Sequence, residues 1–382
     1  VRLGAATPVV LLFAVMALGA PPEVPPTTQA SELSPAEMLT ASQRVALDRC
    51  VDNALKWIAS RQNPDGSFPT QANGQPAVTA ICMLAFMSAG HLPGEGRYGA
   101  VLDRGLDYLL NSQQKDGLLA RVVPDNDDMY QALLNAQAAA YNHAITGLCL
   151  SETYGMSPAA NQRIKPVLEA ALAYALRRQP FPKRRAEDVG GWRYLQRHQS
   201  SDADLSVTSW YLMFLRSCRN SGFDVPTQTI DEGTAFVLRL FDPRTGRFWY
   251  APRGQEHVTT RGMTAAGILS LSLAGRHQTA PAQAAGEWLL QHPYVEYRGK
   301  EGIYDRFFYG AFYSSQATFQ LGGRYWGQFY PVLLQTLADH QRSDGSWDAE
   351  QGSDAPYGNV YSSAMAVLAL TPPYQLLPIF QR

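Results

Sequence analysis

Two kinds of apolar pattern alternate along this chain. In the first, apolar residues return every three or four positions with charge between them, as in VLDRGLDYLLNSQ (Val101 to Gln113). That is the stripe of a helix with one face in water. In the second, nearly every position is apolar or small, and each run opens on a hydroxyl. These runs are TAICMLAF from Thr79, TGLCLSE from Thr146, TSWYLMFL from Thr208, TAAGILSL from Thr264, SQATFQL from Ser315 and SAMAVLAL from Ser363. A helix with no polar face is buried on all sides.

A short glycine and aromatic motif precedes each of the buried runs. The motifs are NPDGSF (Asn63 to Phe68), QKDGLL (Gln114 to Leu119), GGWRY (Gly190 to Tyr194), RTGRFWY (Arg244 to Tyr250), KEGIY (Lys300 to Tyr304) and QRSDGSW (Gln341 to Trp347). The glycine suits the positive-φ position that ends a helix. The aromatic packs back on its neighbours, and the Ser or Thr that follows is suited to capping the next helix. The unit occurs six times, which predicts an all-α repeat fold. Buried second helices and amphipathic first helices predict an α/α toroid of six helix pairs around a central cavity. An open solenoid is the other solution, and the lack of polar end caps favours closure.

The toroid is expected over residues 41–382. Before it, Arg2 and the apolar run Val9 to Leu18 with Ala17-Leu18-Gly19 predict a signal peptide over residues 1–20, and hence an exported protein. The run is too short to span a bilayer, and no later segment approaches one. Residues 21–40 include the Pro-rich spacer APPEVPPTTQA (Ala20 to Ala30), which cannot be helical. A formal net charge of −1 gives no pull toward nucleic acid or anionic membrane. Cys50, Cys82, Cys149 and Cys218 lie in apolar patterns with no metal spacing and are expected as buried thiols.

The turns, QRSDGSW most clearly, resemble those of the squalene cyclase and prenyltransferase-repeat superfamily. MYQALLNAQAAAYNHAITGLCLSETYG (Met129 to Gly155), GGWRY with DLSVTSWYLMFL, GGRYWGQFY (Gly322 to Tyr330) and the closing VYSSAMAVLALTPPYQLLPIFQR are similar to exported bacterial squalene-cyclase-like proteins. The resemblance implies the terpenoid-cyclase type of toroid. It implies function weakly, since such toroids serve as cyclases, prenyltransferases and non-enzymes.

In class II cyclases, the resemblance implies, the middle acid of a DxDDT motif protonates an alkene. Here the register reads Asp204-Leu205-Ser206-Val207-Thr208, so Ser206 stands where the proton donor should be. A hydroxyl is no acid for an alkene at neutral pH. Prenyltransferase zinc would need an Asp-x-Cys pair, which is missing, so no metal and no cofactor are expected. Asp202 and Asp204 could instead form a glycosidase-like carboxylate pair or simply cap a helix.

The residues ahead of each buried helix are expected to ring one mouth of the cavity. They are Tyr141 and His143, Asp202 and Asp204, His257 and Arg261, Tyr309 and Tyr313, and Tyr357 and Tyr361. Helix N-termini converging there would favour an anionic or carbonyl-bearing ligand; capping and packing between repeats is the plainer role. Candidate catalytic residues are Asp204, Asp202 and His143. Candidate ligand-binding residues are Tyr141, Trp210, Arg261, Tyr309, Tyr313, Trp326 and Tyr361, with Phe307, Phe308, Phe312 and Tyr325 adding aromatic surface. The expectation is a toroid binding an apolar or extended ligand, isoprenoid-like or peptide. A divergent terpene cyclase or mutase and a glycan-active enzyme are the alternatives.

Overall fold

A computed structural model describes residues 37–124, 128–197, 200–254, 257–300, 302 and 304–381. The expected signal peptide and nearly all of the spacer lie outside the described residues, as do Asp125, Asn126 and Asp127. Among the described residues there are twelve α-helices and one two-residue hairpin. The outer helices are α1 (Ala41–Ala59), α3 (Gly99–Leu110), α5 (Asn161–Arg178), α7 (Thr227–Arg239), α9 (Ala280–Gln291) and α11 (Gly323–Asp339). The inner ones are α2 (Ala77–Ser88), α4 (Met129–Met156), α6 (Leu205–Asn220), α8 (Arg261–Leu273), α10 (Phe307–Leu321) and α12 (Gly358–Leu370). Every residue of α2 and of α8 is buried, whereas α3 buries only one stripe.

Each inner helix packs on the inner helix before it and the one after, and α12 packs on α2. The ring is therefore closed, and the chain folds as an α/α toroid. The repeated turn explains how one pair is fixed to the next. In every turn but the fifth its glycine sits at positive φ against a carbonyl of an outer helix. In the fifth, Gly302 has nothing within 4 Å of a Cβ position and Tyr304 is exposed, so that turn's aromatic does not pack back as expected. A Cβ on Gly66 would lie 2.1 Å from the Arg104 oxygen, one on Gly117 2.4 Å from Ala170, and one on Gly190 2.3 Å from Glu232. The glutamine ending the outer helix ties the same joint. Gln62 Nε2 donates to the Gly66 and Val101 carbonyls, and Gln179 Nε2 donates to those of Gly190 and Thr229.

The sixth turn makes this joint with the first helix. Gly345 meets Asn53 of α1, and Gln341 Nε2 donates to the Cys50 carbonyl. The fourth turn departs from the pattern, forming the hairpin β1 (Phe241–Asp242) and β2 (Arg247–Phe248).

Three of the hydroxyls expected to cap the inner helices do something else. Thr79, Thr208 and Ser363 lie inside the helices, near their starts, and each accepts the backbone N–H of the turn aromatic, Phe68, Trp192 or Trp347, at 3.0 Å. The side-chain caps of α6 and α8 are Asp204 and Thr260, one residue outside the helix. In the second repeat α4 begins at Met129, about three turns early, and Thr146 lies well past its start.

The end of the chain crosses the toroid. Ile379 N donates to Glu152 Oε2 on α4, Gln320 on α10 donates to the Phe380 carbonyl, and the Phe380 ring packs against Phe312. Since α4 and α10 stand opposite each other in the ring, this segment closes the far end of the central space. All four cysteines are buried free thiols. Among the described residues no helix is long and apolar enough to cross a membrane.

Candidate functional site

The central space is a cavity of about 530 Å³ at the end where the inner helices begin. One residue from each inner helix forms a collar around it: Ala77, Tyr141, Ser206, Gly262, Tyr309 and Tyr361. In the second, third and sixth repeats the collar residue lies two positions before the side chain that receives the turn N–H, as it does for Ala77 in the first. The collar is thus set by the same register that fixes the turns.

Three collar positions carry tyrosine and three are small. Tyr141 donates to Ser206 Oγ at 2.8 Å, and Ser206 Oγ bonds the Tyr309 hydroxyl at 2.7 Å. Tyr309 belongs to α10 and Ser206 to α6, so the phenol must pass over α8. It can do so because α8 offers Gly262, whose missing Cβ would lie 3.3 Å from the Tyr309 ring. One turn deeper Ser209 bonds the Tyr313 hydroxyl at 2.7 Å, and Trp210 stacks on Phe312. Tyr250 also faces the cavity, with its hydroxyl 2.8 Å from that of Tyr194. Burial raises the phenol pKa of Tyr141, Tyr250, Tyr309 and Tyr361, so all four are neutral donors at physiological pH.

Among the described residues Asp354 and Arg306 are the charged side chains on the lining, paired with each other at 3.3 Å. Burial raises the Asp354 carboxyl, and Arg306 opposes that shift. Asn73, Asn142, Gln137 and Thr260 complete the polar part of the wall.

Of the residues singled out in the sequence, Tyr141, Trp210, Tyr309 and Tyr361 line the cavity together. Tyr313 is buried beneath them. Asp204 is buried next to the collar, where Oδ1 accepts the Val207 N–H and Oδ2 faces Arg193 at 3.4 Å. Asp202 points the other way, into a clamp made by the Arg184 guanidinium and backbone N–H. The two aspartates diverge and do not flank a common space.

His143 occupies the position taken by Thr79, Thr208 and Ser363 in other repeats. Its Nδ1 accepts the Leu119 N–H at 3.1 Å, with Tyr174, Tyr211 and Phe214 around the ring. Burial lowers its pKa to about 3 and keeps it neutral. Arg261 is held by Asp305 at 2.6 Å and lies over the Tyr294 ring. Trp326 belongs to the outer helix α11 and stacks on Tyr330. His143, Arg261 and Trp326 are therefore structural neighbours of the ring wall and are not on the lining. The idea of converging helix N-termini also needs correcting, because the collar residue of α4 is mid-helix.

The sequence pattern does not mark Gly262, Asn73, Tyr250, Asp354 or Arg306 as lining residues. Gly262 alone had a usable signal, lying two residues before Thr264. Among the described residues no group of three or more His, Cys, Asp or Glu side chains is arranged to hold a metal.

No family model and no curated protein sequence matches the chain. Its likeness to solved structures is one of fold. An inactive variant of an α-1,6-mannanase from Salegentibacter sp. HEL1_6, solved with α-1,6-mannotriose, matches with a TM-score of 0.58 at 12% identity, over 86% of this chain and 99% of that one. A D-mannose isomerase matches with a TM-score of 0.60 at 11% identity, over 87% and 99%. A type II terpene cyclase from Scytonema, solved with its product merosterolic acid A, matches with a TM-score of 0.55 at 14% identity, over 88% and 100%. Glycan-active toroids and terpene cyclases thus stand equally near.

Proposed function

We propose that this is an exported toroid that binds a small or extended ligand in its central cavity and does not protonate alkenes. The observation that carries the reading is Ser206, held between Tyr141 and Tyr309 at the cavity wall. In the cyclase register this is the place of the proton donor, and a serine there leaves that position with a hydrogen-bonding group and no acid, while Asp354 on the lining is paired with Arg306. Asp204 does not substitute, because its carboxylate caps α6 and faces Arg193. The aromatic collar and closed far end support a binding role. A relationship to squalene-cyclase-like proteins remains part of this proposal, supported by the turn motifs and by the cyclase among the structural neighbours. Export is supported by the N-terminal apolar run.

The test is incubation of purified protein with squalene and with a geranylgeranyl arene, followed by product analysis and equilibrium binding. Saturable binding without cyclised product is expected. Cyclised product that disappears in Asp204→Asn would overturn the reading.

A glycan-active enzyme is the second reading, favoured by the raised carboxyl of Asp354 on the lining. Glycoside hydrolysis ordinarily uses two carboxyl groups flanking the bond, and among the described residues Asp354 is the one carboxylate on the lining. Hydrolysis of an oligosaccharide abolished by Asp354→Asn would establish this second reading over the first.

A further inference from the structure

We propose that the basic pocket between the end of α5 and the turn before α6 binds a tetrahedral oxoanion, phosphate or sulfate. The site is separate from the central cavity and does not depend on what that cavity holds.

The pocket is small, about 100 Å³, and shares no lining residue with the central cavity. Arg178, Lys183, Arg193 and Arg197 line it, and among the described residues Asp202 is the one carboxylate on the lining. Asp202 does not balance them, because both its oxygens are taken by the Arg184 guanidinium, which is not on the lining. Arg193 has Asp204 for a partner. Among the described residues, the hydrogen bonds of the other three cations all go to backbone carbonyls. Arg178 Nη2 donates to Tyr194 and Leu195, Lys183 Nζ to Asp202 at 3.1 Å, and Arg197 Nη2 to Pro182 at 3.5 Å.

Three positive charges thus gather around one space with no carboxylate of their own. The Phe181 ring brings two of them together, the Arg178 guanidinium 5.1 Å from its centre and that of Arg197 5.8 Å. Like charges held this close repel. Burial pulls the Lys183 ammonium down to about 8, with Arg178 adding to the fall and Asp202 opposing it. An anion seated among the three turns each repulsion into an attraction.

The shape of the donors narrows the anion. Arg178 and Arg197 each commit one Nη nitrogen to carbonyls, which leaves the other side of each planar fork for a ligand. Such a fork matches two oxygens of a phosphate or sulfate at once. Lys183 adds a point charge from a third direction. A tetrahedral group offers oxygens toward all three, whereas a carboxylate has two in one plane. The space holds about three waters' volume, enough for one such group and too little for a long ligand.

The experiment titrates the full chain with inorganic phosphate, inorganic sulfate, phenyl phosphate and acetate by calorimetry at constant ionic strength. One saturable site is expected for at least one of the first three, with acetate at least tenfold weaker. Whether inorganic phosphate or phenyl phosphate binds tighter tells a free ion from an esterified group as the source, and either order supports the inference. Arg197→Ala and Lys183→Met should each weaken binding at least tenfold. Arg185→Ala, in the same basic run but off the lining, should leave it unchanged. Circular dichroism checks folding, and Arg197 is an exposed loop residue, so its variant stands if Lys183→Met unfolds. Acetate binding as tight as the rest would overturn the tetrahedral assignment. Equal weakening by all three substitutions would mean a diffuse surface field and overturn the site, as would binding indifferent to Arg197 and Lys183. Saturation by none of the four probes would overturn the inference and leave the reading of the central cavity intact.

Discussion

Gly345 lies against the backbone of Asn53, so close that a Cβ would stand 2.5 Å from the Asn53 oxygen. These residues are almost three hundred positions apart, and their contact is the joint between the sixth repeat and the first. Gly345 has φ of 93°, a conformation other residues avoid. Gly345→Ala therefore combines backbone strain with a clash against main chain. A loss of about 3 kcal/mol is expected by chemical denaturation. Gly96→Ala is the control, with φ of 61° and nothing within 4 Å of the added carbon. It should cost about 1 kcal/mol. Equal losses would mean that the joint does not constrain the ring.

The neutral state of His143 has a pH signature. Its pKa falls from 6.5 to about 3 on burial, so between those values the folded protein binds fewer protons than the unfolded chain. The contribution of this group to stability is full above pH 6.5 and is lost as the pH falls toward 3. The slope from this residue is at most about 1.4 kcal/mol per pH unit. His143→Asn retains an acceptor for the Leu119 N–H and removes the titration. Denaturation curves at pH 7 and pH 5 should converge for the variant relative to wild type; parallel curves would contradict a buried neutral imidazole.

Glu152 predicts a slope of the opposite sign. Burial raises its carboxyl from 4.5 to about 7, and Ser217 and the Ile379 N–H only partly offset that. The folded state therefore holds the proton more tightly than the unfolded chain, and stability falls as pH rises from 4.5 through 7. Glu152→Gln should lack this fall and gain on the order of 2–3 kcal/mol relative to wild type at pH 8 compared with pH 4.5. Stability measured across that range checks it, and a variant that tracks wild type would refute it.

Gly262 tests the collar. Gly262→Leu would fill the gap through which Tyr309 reaches Ser206 and would project into the cavity. Overpacking should cost about 1–3 kcal/mol, while affinity for any cavity ligand should drop more than tenfold in a binding titration. Unchanged affinity in a folded variant would show that the ligand binds outside the collar.

Much of the ring could be read from the chain because its joints are local and repeated. A glycine at positive φ, an aromatic and a buried helix recur in sequence, and five of the six turn glycines meet a carbonyl of an outer helix. The site was harder. The hydroxyl opening each inner helix suggests a cap, but Thr79, Thr208 and Ser363 receive the turn N–H instead, which sets the cavity-facing position two residues upstream. That offset hides the cavity-facing roles of Ser206 and Gly262 from the local pattern. His143 looked chemical because imidazole is an unusual choice, but it replaces a threonine in a backbone contact. Arg261 has its partner, Asp305, 44 residues away, a pairing no local pattern announces.

The crossing of the last residues beneath the ring, from Glu152 on α4 to Phe312 on α10, gives the cavity a floor. A polymer cannot thread through such a cup. It can be grasped only by its terminus and must back out the way it came, so a long chain would be read at one end unit and ignored along its middle.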